Sequence, residues 1–303
     1  MKPEPTNEIF LRAPAKINLG LEVLRRRPDG YHDINTVFAA VDVFDDILLR
    51  PRHDGRITCM VEGSPDLEAG EGNLCVRAAL ALRRAVGDET LGLDILLIKR
   101  IPMGAGLGGG SSDAAAVLRG AIEFWGLAPD GDLPDRIAAG LGSDVPFFLY
   151  GGMAHATSRG ELLTPVDLML PYVVVLVNPG IHVPTPWAYH AVGCTGERAA
   201  GDLIAALRRS SIDPAALRSG ITNDFEEGVF PHHPLLPELK ERLYDAGALL
   251  ALMSGSGSTM YGLFADHHAA AGAAGRFREH WTAVARFLPP GDALVFGGAG
   301  SGR

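Results

Sequence analysis

Residues 102–116 read PMGAGLGGGSSDAAA, and the reading of this stretch decides the fold. An apolar segment, Leu91 to Ile98, precedes it and is read as a buried strand. Ala114, Val117, Leu118, Ala121, Ile122 and Trp125 follow at helical spacing, and Gly126 is a natural stop. A strand, a glycine-rich loop and a helix in that order let bare backbone wrap an anion while the helix N-terminus aims N–H donors and partial positive charge at it. Phosphate is the natural guest. The candidate nucleotide contacts are therefore Pro102, Met103, Gly104, Ala105, Gly106, Leu107, Gly108, Gly109, Gly110, Ser111 and Ser112. Ser111, Ser112 and Asp113 have a plainer use as helix caps.

Two familiar phosphate loops do not fit. A Walker loop ends in Gly-Lys-Ser/Thr, and no lysine lies between Lys99 and the end of the following helix. Gly104, Gly106 and Gly109 match GxGxxG, but a dinucleotide fold next requires a parallel strand ending in an acidic residue. Here the helix leads into PDRIAAGLG, which is helical again.

Working outward, residues 10–23, FLRAPAKINLGLEV, read as strands broken at Pro14. The stretch from Arg25 to Arg50 reads as a Pro-Asp-Gly turn, a mixed strand or short helix, and a strand. Further strands are expected at Arg56 to Glu62, Tyr172 to Val177, Ala248 to Met253 and Thr259 to Phe264. Helices are expected at Asn73 to Ala85 and around Trp187, Leu203 and Leu236. The pattern is α+β, without an internal repeat. The boundary is expected near Gly151 and Gly152, dividing residues 1–157 from 158–303. The glycine-rich tail, GGAGSGR, is expected to be disordered.

Composition bounds the function. The chain has 303 residues, 47% hydrophobic and 21% charged, ordinary for a globular protein of one or two cores. No apolar run is long enough to span a bilayer and MKPEPTNEIF has no signal-peptide core, so a cytoplasmic location is expected. A net charge of −9 argues against a nucleic-acid partner. Cys59, Cys75 and Cys194 are scattered and odd in number, which suits packing better than disulfides or metal ligation. The histidine pairs His232-His233 and His267-His268 suggest loops, and no metal site is expected from side chains.

The loop resembles the phosphate-binding signature of the galactokinase, homoserine kinase, mevalonate kinase and phosphomevalonate kinase superfamily. APAKINLGL (13–21) is similar to that superfamily's first motif and MSGSGSTMYGLF (253–264) to its third. RPDGYHDINTVF (27–38), GSDVPFFLYGG (142–152) and HVPTPWAY (182–189) resemble the branch that acts on a cytidine diphosphate-linked methylerythritol. The resemblance implies an ATP-binding domain and a ferredoxin-like C-terminal domain with the active site in the cleft between them. It implies transfer of the ATP γ-phosphate to the substrate's 2-hydroxyl, in the non-mevalonate route to isoprenoid precursors. It maps catalysis onto Lys16 and Asp144, the cytidine site onto Tyr31, His32, Phe38, Thr185 and Tyr189, and the adenine pocket onto Asn73, Leu74 and Lys99. Mg²⁺ is expected to arrive with ATP. Where some members carry Asn, this chain has Asp113, whose role is left open.

Each of these residues also has a plainer reading. Ser143, Asp144 and Pro146 together spell a helix start, so Asp144 could cap. Lys16 sits among small apolar residues, where an ammonium needs an anionic partner unless its head reaches water; Asp144 is the candidate partner, and Asn18 shares the strand face of Lys16. Thr185 and Pro186 read as N-cap and N1 of a helix whose first turn holds Tyr189, usually a core position. Tyr31 and Tyr189 are the candidates to cover the pyrimidine faces, and His32 to read its edge. The rivals are another kinase of the same superfamily, of homoserine or mevalonate type, and a nucleotide-regulated binding protein without turnover.

Overall fold

The computed structural model describes residues 8–193, 197–291 and 295–297. Cys194 and residues 298–303 of the tail lie outside them. The strands are β1 (Ile9–Arg26), β2 (His32–Arg52), β3 (Ile57–Glu62), β4 (Gly92–Ile98), β5 (Met153–Thr157), β6 (Leu162–Pro165), β7 (Val173–Asn178), β8 (Leu250–Met253), β9 (Met260–Phe264), β10 (Trp281–Arg286) and β11 (Val295–Gly297). The helices are α1 (Leu74–Val86), α2 (Gly109–Phe124), α3 (Leu133–Leu141), α4 (Val145–Tyr150), α5 (Thr185–Val192), α6 (Leu203–Ser210), α7 (Ala216–Gly220), α8 (Phe225–Val229), α9 (Leu235–Asp245) and α10 (His267–Ala274).

Two sheets form. The first runs β11-β1-β2-β4-β3, with β5 added to β2 and β6 to β5. It therefore extends past residue 157 into β6 and takes back β11 from near the chain end. The second runs β10-β7-β9-β8, all antiparallel, the ferredoxin-like order. Three apolar layers make the packing continuous. One lies between the first sheet and α1–α4, through Leu11, Ile47, Leu82, Leu118 and Phe147. A second lies between the sheets, where Ile17, Leu19 and Val37 meet Leu176, Leu252 and Tyr261. A third packs α8, α9 and α10 on the far side of the second sheet, through Phe225, Leu239, Ala270 and Phe277.

Two strand readings change. Pro14 does not break β1; the register shifts between Pro14 and Ala15, and this irregularity absorbs the proline, which has no N–H to give the ladder. His32–Arg52 is one strand rather than a mixed segment and a strand. Residues 34–41 are buried throughout, because both faces of the sheet are covered, so the alternation that marks a half-exposed strand is missing.

Candidate active site

The loop is built from a few backbone constraints. Gly106 has φ +77° and Gly108 φ +69°, the left-handed region that favours glycine. A Cβ on Gly106 would collide with the Ser254 carbonyl, and one on Gly108 would come within 2.9 Å of the Phe148 ring. The carbonyls of the loop are held by the body of the protein. Thr259 N–H donates to Ala105 O (3.2 Å), Ser254 Oγ to Gly106 O (2.8 Å) and Lys16 N–H to Leu107 O (2.9 Å). Acceptors are thus turned away, and the first-turn N–H groups of α2 have no partner within the helix. Such a loop can cradle an anion through its backbone. The turn of the third motif, which joins β8 to β9, closes beside it through these Ser254 and Thr259 bonds.

Lys16 and Asn18 project from one face of β1. Lys16 Nζ donates to Asn18 Oδ1 (2.7 Å), lies 3.4 Å from Asp144 Oδ2 and sits 4.7 Å from the Phe38 ring centroid. Asn18 Nδ2 donates to Thr36 Oγ1 (2.9 Å), which fixes the amide and through it the ammonium. Asp144 occupies the N-cap position of α4, but its side chain makes no capping bond. Its carboxylate faces Lys16 instead. Thr185 is the first residue of α5 rather than its cap, which is Pro184, and its hydroxyl meets Ser256 Oγ at 3.0 Å.

Two cavities share this cleft. The first, about 420 Å³, is lined by Lys16, Asn18, Phe38, Leu74, Lys99, Asp144 and the loop from Pro102 to Gly106 and from Gly108 to Ser111. The second, about 860 Å³, is lined by Tyr31, His32, Ser143 and Pro186 among others. They meet at Asp144, Arg159, Thr185 and Tyr189, which line both. In the second, the rings of His32 and Tyr189 stack on one another at 4.7 Å with planes 7° apart. Burial, helped by the Arg26 charge, lowers the His32 pKa; burial, helped by Asp144, raises that of Tyr189. Both rings are therefore held neutral near pH 7. Tyr31 is exposed, with the Arg159 guanidinium 4.8 Å from its centroid. Tyr31 and Tyr189 line the same cavity, with His32 against one face of the Tyr189 ring.

Three expected nucleotide contacts, Leu107, Ser112 and Asn73, do not line the cleft, and a fourth, Lys99, lines it with its ammonium engaged elsewhere. Leu107 and Ser112 are buried and do not line it, although Leu107 anchors the loop by its carbonyl. Asn73 caps α1, accepting from Cys75 N–H (2.9 Å) and donating to Glu68 O (2.8 Å). Lys99 lines the edge of the cavity, but its ammonium is clamped between Asp45 and Asp113, 2.7 Å from the latter. Asp113 thus turns inward, away from any phosphate. Burial pushes its carboxyl up to about 8, against the pull of Lys99. Asp45 was missed from the sequence; the charged pair in FDDILL, set in an apolar run, was its signal. It also accepts from the N–H groups of Arg100 and Ile101, tying the strand end to the loop.

Comparison with known proteins agrees with this geometry. The description "GHMP kinases N terminal domain" matches residues 73–152, and "GHMP kinases C terminal" matches 203–283. A 4-diphosphocytidyl-2-C-methyl-D-erythritol kinase of Geobacter metallireducens is 46% identical over 268 residues, 88% of this chain and 92% of the relative. One of Prosthecochloris aestuarii is 42% identical over 290 residues, 95% and 99% of the two chains. A crystal structure of 4-(cytidine 5'-diphospho)-2C-methyl-D-erythritol kinase superposes with a TM-score of 0.76 at 38% identity, covering 91% of this chain and 99% of that one. A homoserine kinase of Cytophaga hutchinsonii, 21% identical with a TM-score of 0.72 over 98% and 99% of the chains, shares the fold. With both halves matched and the cleft built from the expected motifs, the chain belongs to the GHMP kinases and, within them, to the 4-diphosphocytidyl-2-C-methyl-D-erythritol kinase family.

Proposed function

We propose that Lys16 and Asp144, set beside the phosphate loop, carry the phosphoryl transfer. The chain is an ATP-dependent kinase that phosphorylates the 2-hydroxyl of 4-diphosphocytidyl-2-C-methyl-D-erythritol in the non-mevalonate isoprenoid pathway. The observation that supports the residue roles is the uncapped Asp144 carboxylate, 3.4 Å from a lysine in the cavity that the loop lines. In this reading the loop backbone holds the phosphates of ATP and Asp144 accepts the hydroxyl proton. The hydroxyl oxygen bonds to the γ-phosphorus as the bridge to the β-phosphate breaks, and ADP leaves. Lys16 offsets the negative charge gathered between acceptor and donor. Asn18 keeps Lys16 in place, and Leu74 offers the adenine an apolar wall.

Mg²⁺, when bound with ATP, would neutralise β- and γ-phosphate oxygens. Among the described residues no cluster of three His, Cys, Asp or Glu could cage a cation, and Asp113 is committed to Lys99. The donor set suits a cation carried in by the nucleotide, with the cleft-lining Ser111 hydroxyl as its protein ligand. We further read residues 1–157 as the ATP-binding and catalytic unit and 158–303 as the unit that completes the substrate site. A cytoplasmic location and the absence of a nucleic-acid partner accord with the net charge of −9. No helix among the described residues is long and apolar enough to cross a membrane.

The test is ATP turnover with the cytidyl substrate, its uridyl analogue, homoserine and mevalonate, alongside titration with CDP and UDP. Turnover confined to the cytidyl compound and tighter CDP binding are expected. Equal use of both bases, or turnover of homoserine or mevalonate, would move the chain to a sibling specificity.

A further inference from the structure

The turn of the third motif, which follows Met253, sits between the two halves of the reacting centre. Ser254 Oγ donates to Gly106 O (2.8 Å), and a Cβ on Gly255 would lie 3.3 Å from Asn18 Oδ1 and 3.5 Å from Gly106 Cα. Just past the turn, the Tyr261 hydroxyl donates to Asn18 O (2.9 Å). A shift of this turn therefore changes the offset between the loop and the strand that carries Lys16. The turn is held in place by Asn223, which is buried and lines neither cavity. Both of its amide hydrogens are used: Nδ2 donates to Met253 O (2.7 Å) and to Gly255 O (2.8 Å). Its Oδ1 accepts from Phe225 N–H (3.0 Å). The segment that carries it is registered on β1, with Leu21 N–H donating to Thr222 O (2.8 Å), Asp224 N–H to Leu21 O (2.9 Å) and Val23 N–H to Asp224 Oδ2 (2.7 Å). Glu226 then accepts from Met253 N–H (2.8 Å), so Met253 is gripped at both its polar groups. Asparagine suits the place because it joins two donors and an acceptor on a short arm. Ionised aspartate, of the same size, has no donor to give, and glutamine is one carbon longer.

We infer that Asn223 is a positioning residue for the transfer: by holding Met253 and Gly255 it sets the place of the phosphate loop relative to Lys16 and Asn18. It acts through the turn, and through Ser254 on the Gly106 carbonyl, without touching a substrate. This rests on the reading above, in which the loop holds ATP and Lys16 faces the acceptor. Without the amide, two carbonyls lose their shared donor and the turn settles elsewhere. A misplacement on the order of 1 Å between reacting groups costs about 10²-fold in rate.

The experiment compares the parent with Asn223→Ala, Asn223→Asp, Ser254→Ala and the double variant that joins Asn223→Ala to Ser254→Ala. It measures kcat and the KM of each substrate per folded molecule, with Phe277→Leu, in the apolar layer beyond the second sheet, as a destabilised control. Both Asn223 variants are expected to lower kcat about 10- to 100-fold and to raise the KM of ATP, with a smaller change in the cytidyl KM. Asn223→Asp is the sharper of the two, since it keeps the Phe225 bond and removes only the donors. The double variant should lose less than the product of the single losses, because both changes act through one turn. Phe277→Leu should keep the parent's kinetic constants. Parent-like kcat and ATP KM in a folded Asn223 variant would overturn the inference, as would losses that simply multiply in the double variant. If the Asn223 variants do not fold, Ser254→Ala decides: a lowered kcat is expected, and parent-like constants overturn the route. Lys16→Met separates this inference from the reading beneath it. Slow transfer there beside a parent-like Asn223→Asp removes the positioning role alone, whereas parent-like transfer in Lys16→Met removes the reading on which it rests.

Discussion

Two lysines flank the glycine-rich loop, and their surroundings separate a pair that opens onto the cleft from one sealed in the scaffold. The Lys16 and Lys99 side chains are equally inaccessible, 5% and 4% exposed. Their partners differ. Asp144 is 33% exposed and opens onto the cleft, whereas Asp45 and Asp113 are 0% and 2% exposed. The Lys99 cluster has no room for a guest between its charges, and water cannot reach it to soften a loss. The Lys16 pair, 3.4 Å apart, lines the cavity, where an acceptor hydroxyl can approach both groups. Exposure of the carboxylate, not of the lysine, sorts the two.

The largest effect should come from the open pair. Asp144→Asn keeps the shape of the side chain and removes its basicity, so kcat should fall by about 10² to 10⁴ with thermal stability unchanged. Lys16→Met should slow transfer as well, with ATP still bound by the loop. Parent-like turnover of the Asn variant would reduce Asp144 to the N-cap position of α4 and erase the contrast.

Lys99→Met should act on stability. Removing the cation leaves the buried Asp45 carboxylate without its counter-ion beside Asp113, a loss of about 3 to 5 kcal/mol, read from urea unfolding. Unchanged stability with a raised KM for ATP would make Lys99 a cleft residue like Lys16, and the comparison would collapse.

The smallest effect sharpens the comparison through pH. The Asp113 pKa is about 8 in the fold against an ordinary carboxyl value near 4 in the unfolded chain, so between these values the folded state holds a proton that the unfolded state has released. Stability from this group therefore falls as pH rises through that window, by up to about 1.4 kcal/mol per pH unit. Asp113→Asn, a neutral isostere, should flatten that slope relative to the parent while leaving kcat near neutral pH intact. A pH profile of stability parallel to the parent's would show that Asp113 stays ionised.

Much of the site was legible because its constraints are local. The loop declared itself by five glycines between an apolar strand and an amphipathic helix. Lys16 and Asn18 are two residues apart on a strand, so their shared face follows from the pleat. Other residues were misplaced where local rules gave two answers. Leu107 lies between two left-handed glycines that turn it into the core, and Ser112 falls on the buried face of α2. Asn73 obeyed the simpler rule and capped its helix.

The sequence by itself determined that the architecture is α+β, and it pointed to a backbone anion site at a helix start with a lysine and an aspartate beside it. Only the tertiary structure decided which aspartate attends which lysine. Asp45 reaches Lys99 from β2 across 54 positions and Asp144 reaches Lys16 from the start of α4, and nothing in their spacing distinguishes them. The difference lies in what covers each carboxylate: α2 and the β-sheet seal Asp113 and Asp45, while the uncapped start of α4 leaves Asp144 facing the cleft. Desolvation is a property of packed layers, and it is fixed once those layers meet.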